Sequence, residues 1–376
     1  MKFSVIQKDI YPLLRYARAF TPPQKLATIL HNVYIEAKEG ELLLKSTNFQ
    51  TSFVATLKAN VEGTGVVTVP ADKLADAISK LKDDANITFS VSANADDSNK
   101  LLFIKSGTYI GKFATLEPEL FPQMRDITPE YSIKIKSDAL VDLFRHVAFC
   151  ISNDTAKPEY SGAHFSIISN KLEISSADYQ RMATVSATLD EGIADEFTVN
   201  IPKKTVLDVS NIFDKAGDIT IETDRKLIVF KSATISVSSK LIERYIKNIT
   251  KLFQSEYPIR ATINRASLID VVGRVAATTN EISHGVRLSF NGSQLLVHSL
   301  ETEHGSASDE VRENVTFNGE KMDIIFNANQ LIDILKNVGS ESITLAMTTA
   351  IQPALVLPDS GEAKYIIVPI SIEKIG

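Results

Sequence analysis

QKDIYPLLRYARAFT (7–21), KSDALVDLFRHVAFCIS (136–152) and NRASLIDVVGRVAATTN (264–280) are three versions of one segment. Each follows a short strand-like run, FSVI, SIKI or ATI, and each then spaces its apolar residues along one face of a helix. In the first copy that face holds Ile10, Leu13, Leu14 and Ala17. Leu14, Phe144 and Val272 occupy the same place, 130 and then 128 residues apart. A second segment recurs downstream: PADKLADAISKL (70–81), PKKTVLDVSNIF (202–213) and NANQLIDILKNV (327–338), spaced by 132 and 125 residues. The runs GVVTV, EFTVNI and MDIIF precede these copies. Pro70 and Pro202 are read as first-turn residues, where the missing N–H of proline has no partner to lose.

Between the helical segments lie alternating runs. VYIEAKEGELLLKS (33–46), HFSIISNKLEISSA (164–177) and VRLSFNGSQLLVHS (286–299) are hairpin patterns, turning at Gly40, Ser169–Asn170 and Asn291–Gly292. KLLFIKSGTYIGKF (100–113) and KLIVFKSATISVSS (226–239) repeat the pattern. Order, element type and spacing agree across all three copies, which is the signature of an internal repeat. The expected class is α+β, with three repeated domains, each of two helices packed on antiparallel sheets. Their spans are 1–127, 128–254 and 255–376, with boundaries near Asp126–Pro129 and Gln254–Pro258, where proline and polar residues cluster. A chain of 376 residues also exceeds what one core supports, about 250–300 residues.

The single cysteine, Cys150, allows no intrachain disulfide and no thiolate zinc site, which fits a reducing compartment. The N-terminal MKFSVIQKDIYPLL lacks the apolar core of a secretory signal, and no run of 18 apolar residues marks a membrane span. The expected location is the cytoplasm, with no membrane partner. The histidines His31, His146, His164, His284, His298 and His304 show no HxxxH or HExxH spacing. There is no GxSxG elbow and no GxxxxGK[ST] phosphate loop. Gly63-Thr-Gly65 precedes a strand and lacks the third glycine of a dinucleotide site. Asp83–Asp84 and Asp96–Asp97 sit in polar loops, and Cys150 follows an apolar helix face, the position of a core thiol. These readings point away from an enzyme and away from any metal or cofactor.

The net charge is −6. The six helical segments nonetheless carry twelve basic against eight acidic residues, an excess of +4, so the rest of the chain holds −10. Basic helices on an acidic body suit a protein that touches phosphates loosely and without sequence preference. The ordinary charged outer face of amphipathic helices would also produce this balance.

The chain resembles the bacterial DNA polymerase III beta subunit family, the beta sliding clamps, over nearly its whole length. The resemblance rests on MKFSV (1–5), ILHNVYIEA (29–37), TVPADKLADAISKL (68–81), FATLEPELFPQM (113–124), SSADYQRMA (175–183), TVNIPKKTVLDVSNIF (198–213), NEISHGVRLSF (280–290) and YIIVPIS (365–371). It implies half of a six-domain ring, closed by a head-to-tail homodimer, with helices lining the hole and no catalytic residue. It further implies duplex DNA bound without regard to sequence, a clamp loader that opens the ring, and docking peptides from the replicative polymerase, ligase and repair polymerases.

Carried over residue by residue, the resemblance places a peptide pocket between the second and third domains. Its expected lining is Tyr160, Ala177, Arg181, Met182, Ile246, Thr250, Asn327, Gln330, Ile351, Pro353, Ile366, Ile367, Val368, Pro369, Ile370 and Ser371. The apolar members would take the anchor side chains of a peptide. Expected DNA contacts are Arg15, Lys25, Lys73, Lys80, Arg145, Lys203 and Lys204, and the expected dimer edge is Gly111 and Phe113 facing Ala277 and Thr278.

The chain departs from the family pattern in several places. Tyr179–Gln180 stand where the family has Gly-His, Tyr245–Asn248 where it has Phe-Pro-Asp-Tyr, and Glu373–Gly376 extend past its usual end. The dimer-edge positions are less apolar than is usual in the family. A ring-forming clamp and a monomeric clamp-like docking protein are therefore the two readings of the assembly.

Overall fold

The repeated segments form helices whose buried faces coincide. The computed structural model describes residues 1–23, 28–91, 100–193, 195–246, 249, 253, 255–301 and 305–371. Among them are six α-helices: α1 (Gln7–Ala19), α2 (Ala71–Ile78), α3 (Ser137–Ala148), α4 (Lys203–Ile212), α5 (Arg265–Ala276) and α6 (Ala328–Asn337). α1 buries Ile10, Leu13, Leu14 and Ala17; α3 buries Leu140, Leu143, Phe144 and Val147; α5 buries Leu268, Val271, Val272 and Val275. The i, i+3, i+4, i+7 spacing is the same in all three, so one stripe faces the core. Each large apolar side chain removed from water contributes roughly 1.5–3 kcal/mol.

The helices are capped by one another's loops. The N–H groups of Gln7 and Lys8 donate to the carbonyls of Ala85 (2.9 Å) and Asp83 (3.0 Å). In the second copy Ser137 N–H donates to Gly217 O (2.8 Å), and in the third Arg265 N–H donates to Glu341 O (2.9 Å). The first helix of each repeat thus fills its orphan donors from the loop after the second helix. α5 and α6 add side-chain caps. Asn264 Oδ1 accepts from Ser267 N–H (2.9 Å) and Asn327 Oδ1 from Gln330 N–H (3.1 Å). The prolines depart from expectation. Pro70 is the N-cap of α2 and Pro202 ends the strand before α4, so both lie just outside the first turn. Pro12 sits inside α1, where it removes one hydrogen bond to the preceding turn.

All strand pairings among the described residues are antiparallel, and they sort into two compact units. The first unit comprises 1–138 with 208–241. Its five-stranded sheet runs Asn60–Gly63, Lys2–Ile6, Asn86–Val91, Leu101–Ser106, Tyr109–Ala114. Its eight-stranded sheet runs Tyr131–Lys136, Asp218–Thr223, Leu227–Lys231, Ile235–Lys240, Thr51–Lys58, Glu41–Thr47, Asn32–Lys38, Gly65–Pro70.

The second unit comprises 139–207 with 242–376. Its nine-stranded sheet runs Phe197–Pro202, Gly162–Ile168, Lys171–Ala177, Arg181–Thr188, Lys364–Ile367, Ala354–Pro358, Ser342–Met347, Ile259–Asn264, Thr316–Phe317. A four-stranded sheet runs Ser308–Val311, Gln294–Ser299, Gly285–Asn291, Met322–Asn327. Strands of the middle repeat therefore join the first repeat in one large sheet and the third repeat in the other. Each join is an edge-to-edge ladder that leaves no free edge at the seam.

The capping and packing scheme makes a stability prediction. In urea melts, Asn264→Ala and Asn327→Ala should each lose about 1 kcal/mol. Phe144→Ala should lose about 3–5 kcal/mol. A Phe144→Ala protein as stable as the parent would mean that the aligned helix positions are not equivalent core sites.

Candidate functional site

The seam of the nine-stranded sheet builds a cleft. Strand Arg181–Thr188 pairs with Lys364–Ile367 in the register Met182 opposite Ile366 and Arg181 opposite Ile367. Above this ladder lies a cleft of about 340 Å³ lined by Tyr160, Ala177, Asp178, Tyr179, Arg181, Met182, Ile246, Ile249, Ile366 and Val368. Ile366 is fully buried and forms one cluster with Phe253, Tyr257, Ala346 and Leu355, against which Met182 packs. The floor is therefore continuous with a closed apolar core, and the rim is aromatic. Tyr160 and Tyr179 lie with ring centroids 4.9 Å apart, and Tyr179 Oη donates to Asp154 Oδ2 (3.1 Å).

Arg181 shapes the corner of the cleft. Its Nε and Nη2 donate to Asp178 Oδ2 at 3.0 and 2.9 Å, and its Nη1 donates to Asp333 Oδ2 at 2.9 Å. The side chain is only 12% exposed. Asp178 Oδ1 accepts from the N–H groups of Gln180 (2.9 Å) and Arg181 (2.7 Å), closing the turn between the two strands. The guanidinium thus serves the turn and α6, and the rest of the cleft wall is chiefly apolar side chains and tyrosines.

Of the expected lining, the structure brings Tyr160, Ala177, Arg181, Met182, Ile246, Ile366 and Val368 to this cleft. Gln180 ties in further members. Its Oε1 accepts from Gln330 Nε2, and its carbonyl accepts from Val368 N–H (2.8 Å). Asn327 is committed to capping α6, and its Nδ2 donates to Ser283 O (2.9 Å). Ile367 and Pro369 are buried, while Pro353, Ile370 and Ser371 are half-buried. Ile370 N–H donates to Ile325 O (2.8 Å). Ile351 is 75% exposed. None of these last six lines the cleft itself. Thr250 and the 373–376 extension lie outside the described residues. Asp178, Tyr179 and Ile249 line the cleft without having been expected there. The Asp-x-x-Arg spacing of 178–181 carried the signal for Asp178, since an aspartate at that offset closes a turn.

A second cleft of about 450 Å³ adjoins the first, lined by Glu159, Tyr160, Glu243, Arg244, Tyr245 and Ile246. Two buried polar side chains stand beneath it. Asn200 Nδ2 donates to Glu159 O (3.3 Å) and Arg244 O (2.7 Å), and His164 Nε2 lies 3.1 Å from Glu159 O. With the ring proton on Nε2, His164 donates to that carbonyl. Burial pushes the His164 pKa below its ordinary value, partly offset by the Glu159 carbonyl.

The basic residues differ in their commitments. Arg15, Lys73, Lys80, Arg145 and Lys204 are exposed. Arg15 lies over the Tyr16 ring (5.1 Å), and Arg145 pairs with Asp142. Lys203 is half-buried, and its ammonium donates to Ile151 O (2.7 Å) and Asn153 Oδ1 (2.9 Å). Lys25 lies outside the described residues.

The expected dimer-edge residues fall on two elements. Gly111 and Phe113 lie on Tyr109–Ala114, the last strand of the five-stranded sheet. Gly111 is buried, and a Cβ there would sit 2.7 Å from Tyr109 Oη and 2.9 Å from the Phe113 ring. Ala277 is exposed beyond the end of α5, and Thr278 Oγ1 donates to Ser299 Oγ (2.9 Å). Cys150 is fully buried, and burial raises its thiol pKa well above the usual value. No helix among the described residues is long and apolar enough to cross a membrane.

The buried histidine gives a pH prediction. His164 has a lowered pKa, so its contribution to stability is complete above the unfolded value of about 6.5 and is lost as pH falls through the lower folded value. His164→Gln keeps a donor for Glu159 O and carries no titrating group. Its melting temperature should fall less than the parent's between pH 7.5 and 5.5. Parallel slopes would show that folding does not shift the His164 pKa. His146, also lowered by burial and partly restored by Asp142, contributes the same sign in both proteins.

Comparison with known proteins places these features in one family. Family models of the DNA polymerase III beta subunit match along the chain: its N-terminal domain over residues 1–125, its central domain over 134–245 and its C-terminal domain over 250–371. The beta sliding clamp of Chlamydia pneumoniae is 25% identical over 374 residues, covering 99% of each chain. That of Rickettsia bellii is 26% identical over 385 residues, covering 99% of this chain and 100% of the relative. The crystal structure of the Bartonella birtlesii sliding clamp bound to griselimycin superposes with a TM-score of 0.92 at 25% identity, covering 99% of this chain and 100% of that one. The Pseudomonas aeruginosa clamp bound to griselimycin reaches the same TM-score at 22% identity, with the same coverage. With three clamp domains matched in order along its length, this chain belongs to the DNA polymerase III beta subunit family, the beta sliding clamps.

Proposed function

We propose that two copies of this chain close head to tail into a six-domain ring that encircles duplex DNA and tethers DNA-processing proteins to it. The observation that carries this reading is the full-length match to sliding clamps in three consecutive domains. The boundary near 127 falls in the gap between the first two family matches, which end at 125 and begin at 134, whereas 254 lies just inside the third, which begins at 250. Binding is topological, so the ring needs no catalytic group and no base-specific contact. Exposed Arg15, Lys73, Lys80, Arg145 and Lys204 supply weak, salt-sensitive phosphate attraction. The internal bonds of Lys203 leave it a smaller part.

Ring closure in this proposal joins two edge strands. Tyr109–Ala114 ends the five-stranded sheet and displays Ile110, 63% exposed, and Lys112. Ser308–Val311 ends the four-stranded sheet and carries Asp309 and Glu310, with Glu313 just beyond. An exposed edge invites pairing with another chain. Phe113, packed beside Gly111, backs one edge, while Ala277 and Thr278 follow the helix beside the other.

The replicative polymerase, the clamp loader, ligase and repair polymerases are proposed to dock by peptides whose apolar anchors enter the cleft over Met182 and Ile366. Its volume, buried floor and aromatic rim suit such anchors.

Light scattering across a dilution series should give a mass of twice 41.3 kDa. A mass of one chain at every concentration would favour the monomeric docking protein instead. Loaded on a circular plasmid, the protein should survive high-salt gel filtration and be lost once the plasmid is cut. Equal loss from both forms would defeat encirclement. Met182→Asp places an unpaired carboxylate against an apolar floor and should weaken binding of a peptide with leucine and phenylalanine anchors by more than about tenfold. Unchanged affinity would show the cleft to be the wrong one.

A further inference from the structure

The docking cleft opens into the second cleft through two shared residues, Tyr160 and Ile246. The chemistry changes across that threshold. The first cleft is apolar, whereas the second is walled by Tyr160 and Tyr245 and carries Glu159 and Glu243. Glu159 Oε2 is buried and has no hydrogen-bond partner. Among the described residues neither carboxylate has an ion-pair partner, and Arg244, in the same wall, has none either. A carboxylate oxygen removed from water without a donor is costly, and a ligand that brings a charged donor recovers that cost.

The site is also built rather than incidental. Asn200, 1% exposed, holds the backbones of Glu159 and Arg244 together through one amide nitrogen, and His164, 3% exposed, bonds the Glu159 carbonyl from beneath. Both walls are therefore fixed before any ligand arrives, which lowers the ordering cost of binding. Tyrosine faces attract cations, and the neighbouring rim already does so: Lys157 Nζ lies 4.4 Å from the Tyr179 ring centroid.

We infer that this second cleft is a cation subsite, taking a lysine or arginine side chain that flanks the apolar anchors of a docked peptide. The inference rests on the docking role proposed above and names the chemistry of the partner segment. Glu159 and Glu243 supply the charge, Tyr160 and Tyr245 the faces, and continuity through Tyr160 and Ile246 sets the reach as one short stretch of extended chain.

The test uses fluorescein-labelled ten-residue peptides with leucine and phenylalanine anchors and one flanking residue, either lysine or norleucine. That residue is moved through each position beyond either end of the anchors, and the peptides are titrated against the full-length protein by anisotropy. At one flanking position lysine should bind about tenfold tighter than norleucine, the scale of one charge-assisted hydrogen bond. Glu159→Gln with Glu243→Gln should abolish that preference while leaving the norleucine affinity unchanged, which also shows the variant to be folded. Equal binding of lysine and norleucine at every position overturns the subsite, as does a lysine preference that survives in the double variant. Met182→Asp separates the two readings. Loss of both peptides in that variant keeps the docking cleft and isolates the subsite as the point at issue. Undiminished binding of both removes the docking cleft, and the subsite with it.

Discussion

The backbone ladder between Arg181–Thr188 and Lys364–Ile367 is the constraint on which the candidate site depends. It joins segments more than 175 residues apart in the chain, and it places Met182 beside Ile366 with no linker between them. Two edge strands would otherwise expose unpaired N–H and C=O groups, and pairing them removes that liability while creating a rigid floor. The cluster of Ile366, Phe253, Tyr257, Ala346 and Leu355 then packs on one face of the floor. A cleft on such a base is ordered by the fold itself.

The arginine at the corner shows how the turn is held. Asp178 accepts two backbone N–H groups with one oxygen and two guanidinium N–H groups with the other. Asp333 of α6 accepts a third guanidinium N–H. Replacing one partner of so enclosed a pair leaves a buried charge uncompensated, which is worse than never having had the pair. Arg181 therefore works through position. It fixes the turn that carries Tyr179 and Gln180, and Gln180 in turn holds Val368 and Gln330.

The helices were legible in the sequence because a period near 3.6 recurs three times with matching offsets, and the hairpins because their turns carry glycine or asparagine. The ladders between repeats were not, since no local pattern links residue 182 to residue 366. Resemblance named Ala177, Met182, Ile246, Ile366 and Val368, which line the cleft, together with Ile351, Pro353, Ile367, Pro369 and Ile370, which do not, and it missed what the polar members do. Arg181 is drawn inward by Asp333, 152 residues away, and Lys203 by the Ile151 carbonyl, partners that spacing on a helix does not disclose. The second cleft was invisible for the same reason. Glu159, Asn200 and Arg244 are scattered along the chain and meet only through hydrogen bonds to backbone carbonyls. Pro70 and Pro202 were assigned to the helices and turn out to end the strands, a shift of one residue that the fixed proline φ accommodates on either side.

The same ladder occurs in the first unit, and the comparison explains why one seam and not the other suits apolar anchors. Ile235–Lys240 pairs with Thr51–Lys58, setting Ser238 opposite Ser52 and Ser239 opposite Thr51. These are the repeat positions of Ile366 opposite Met182 and Ile367 opposite Arg181. The turn is repeated too, with Asn48 accepting from the N–H groups of Gln50 and Thr51 as Asp178 does from Gln180 and Arg181. Backbone pairing and turn are thus common to both seams, and the side chains on them differ. Hydroxyl groups at the first seam bond one another and the backbone, as Thr47 does with Ser52 at 2.8 Å, and leave no apolar floor. At the second seam Ile366 is buried in the apolar cluster and half-buried Met182 packs against it, a surface with no group to bond. The same repeated corner is thus polar at one seam and apolar at the other.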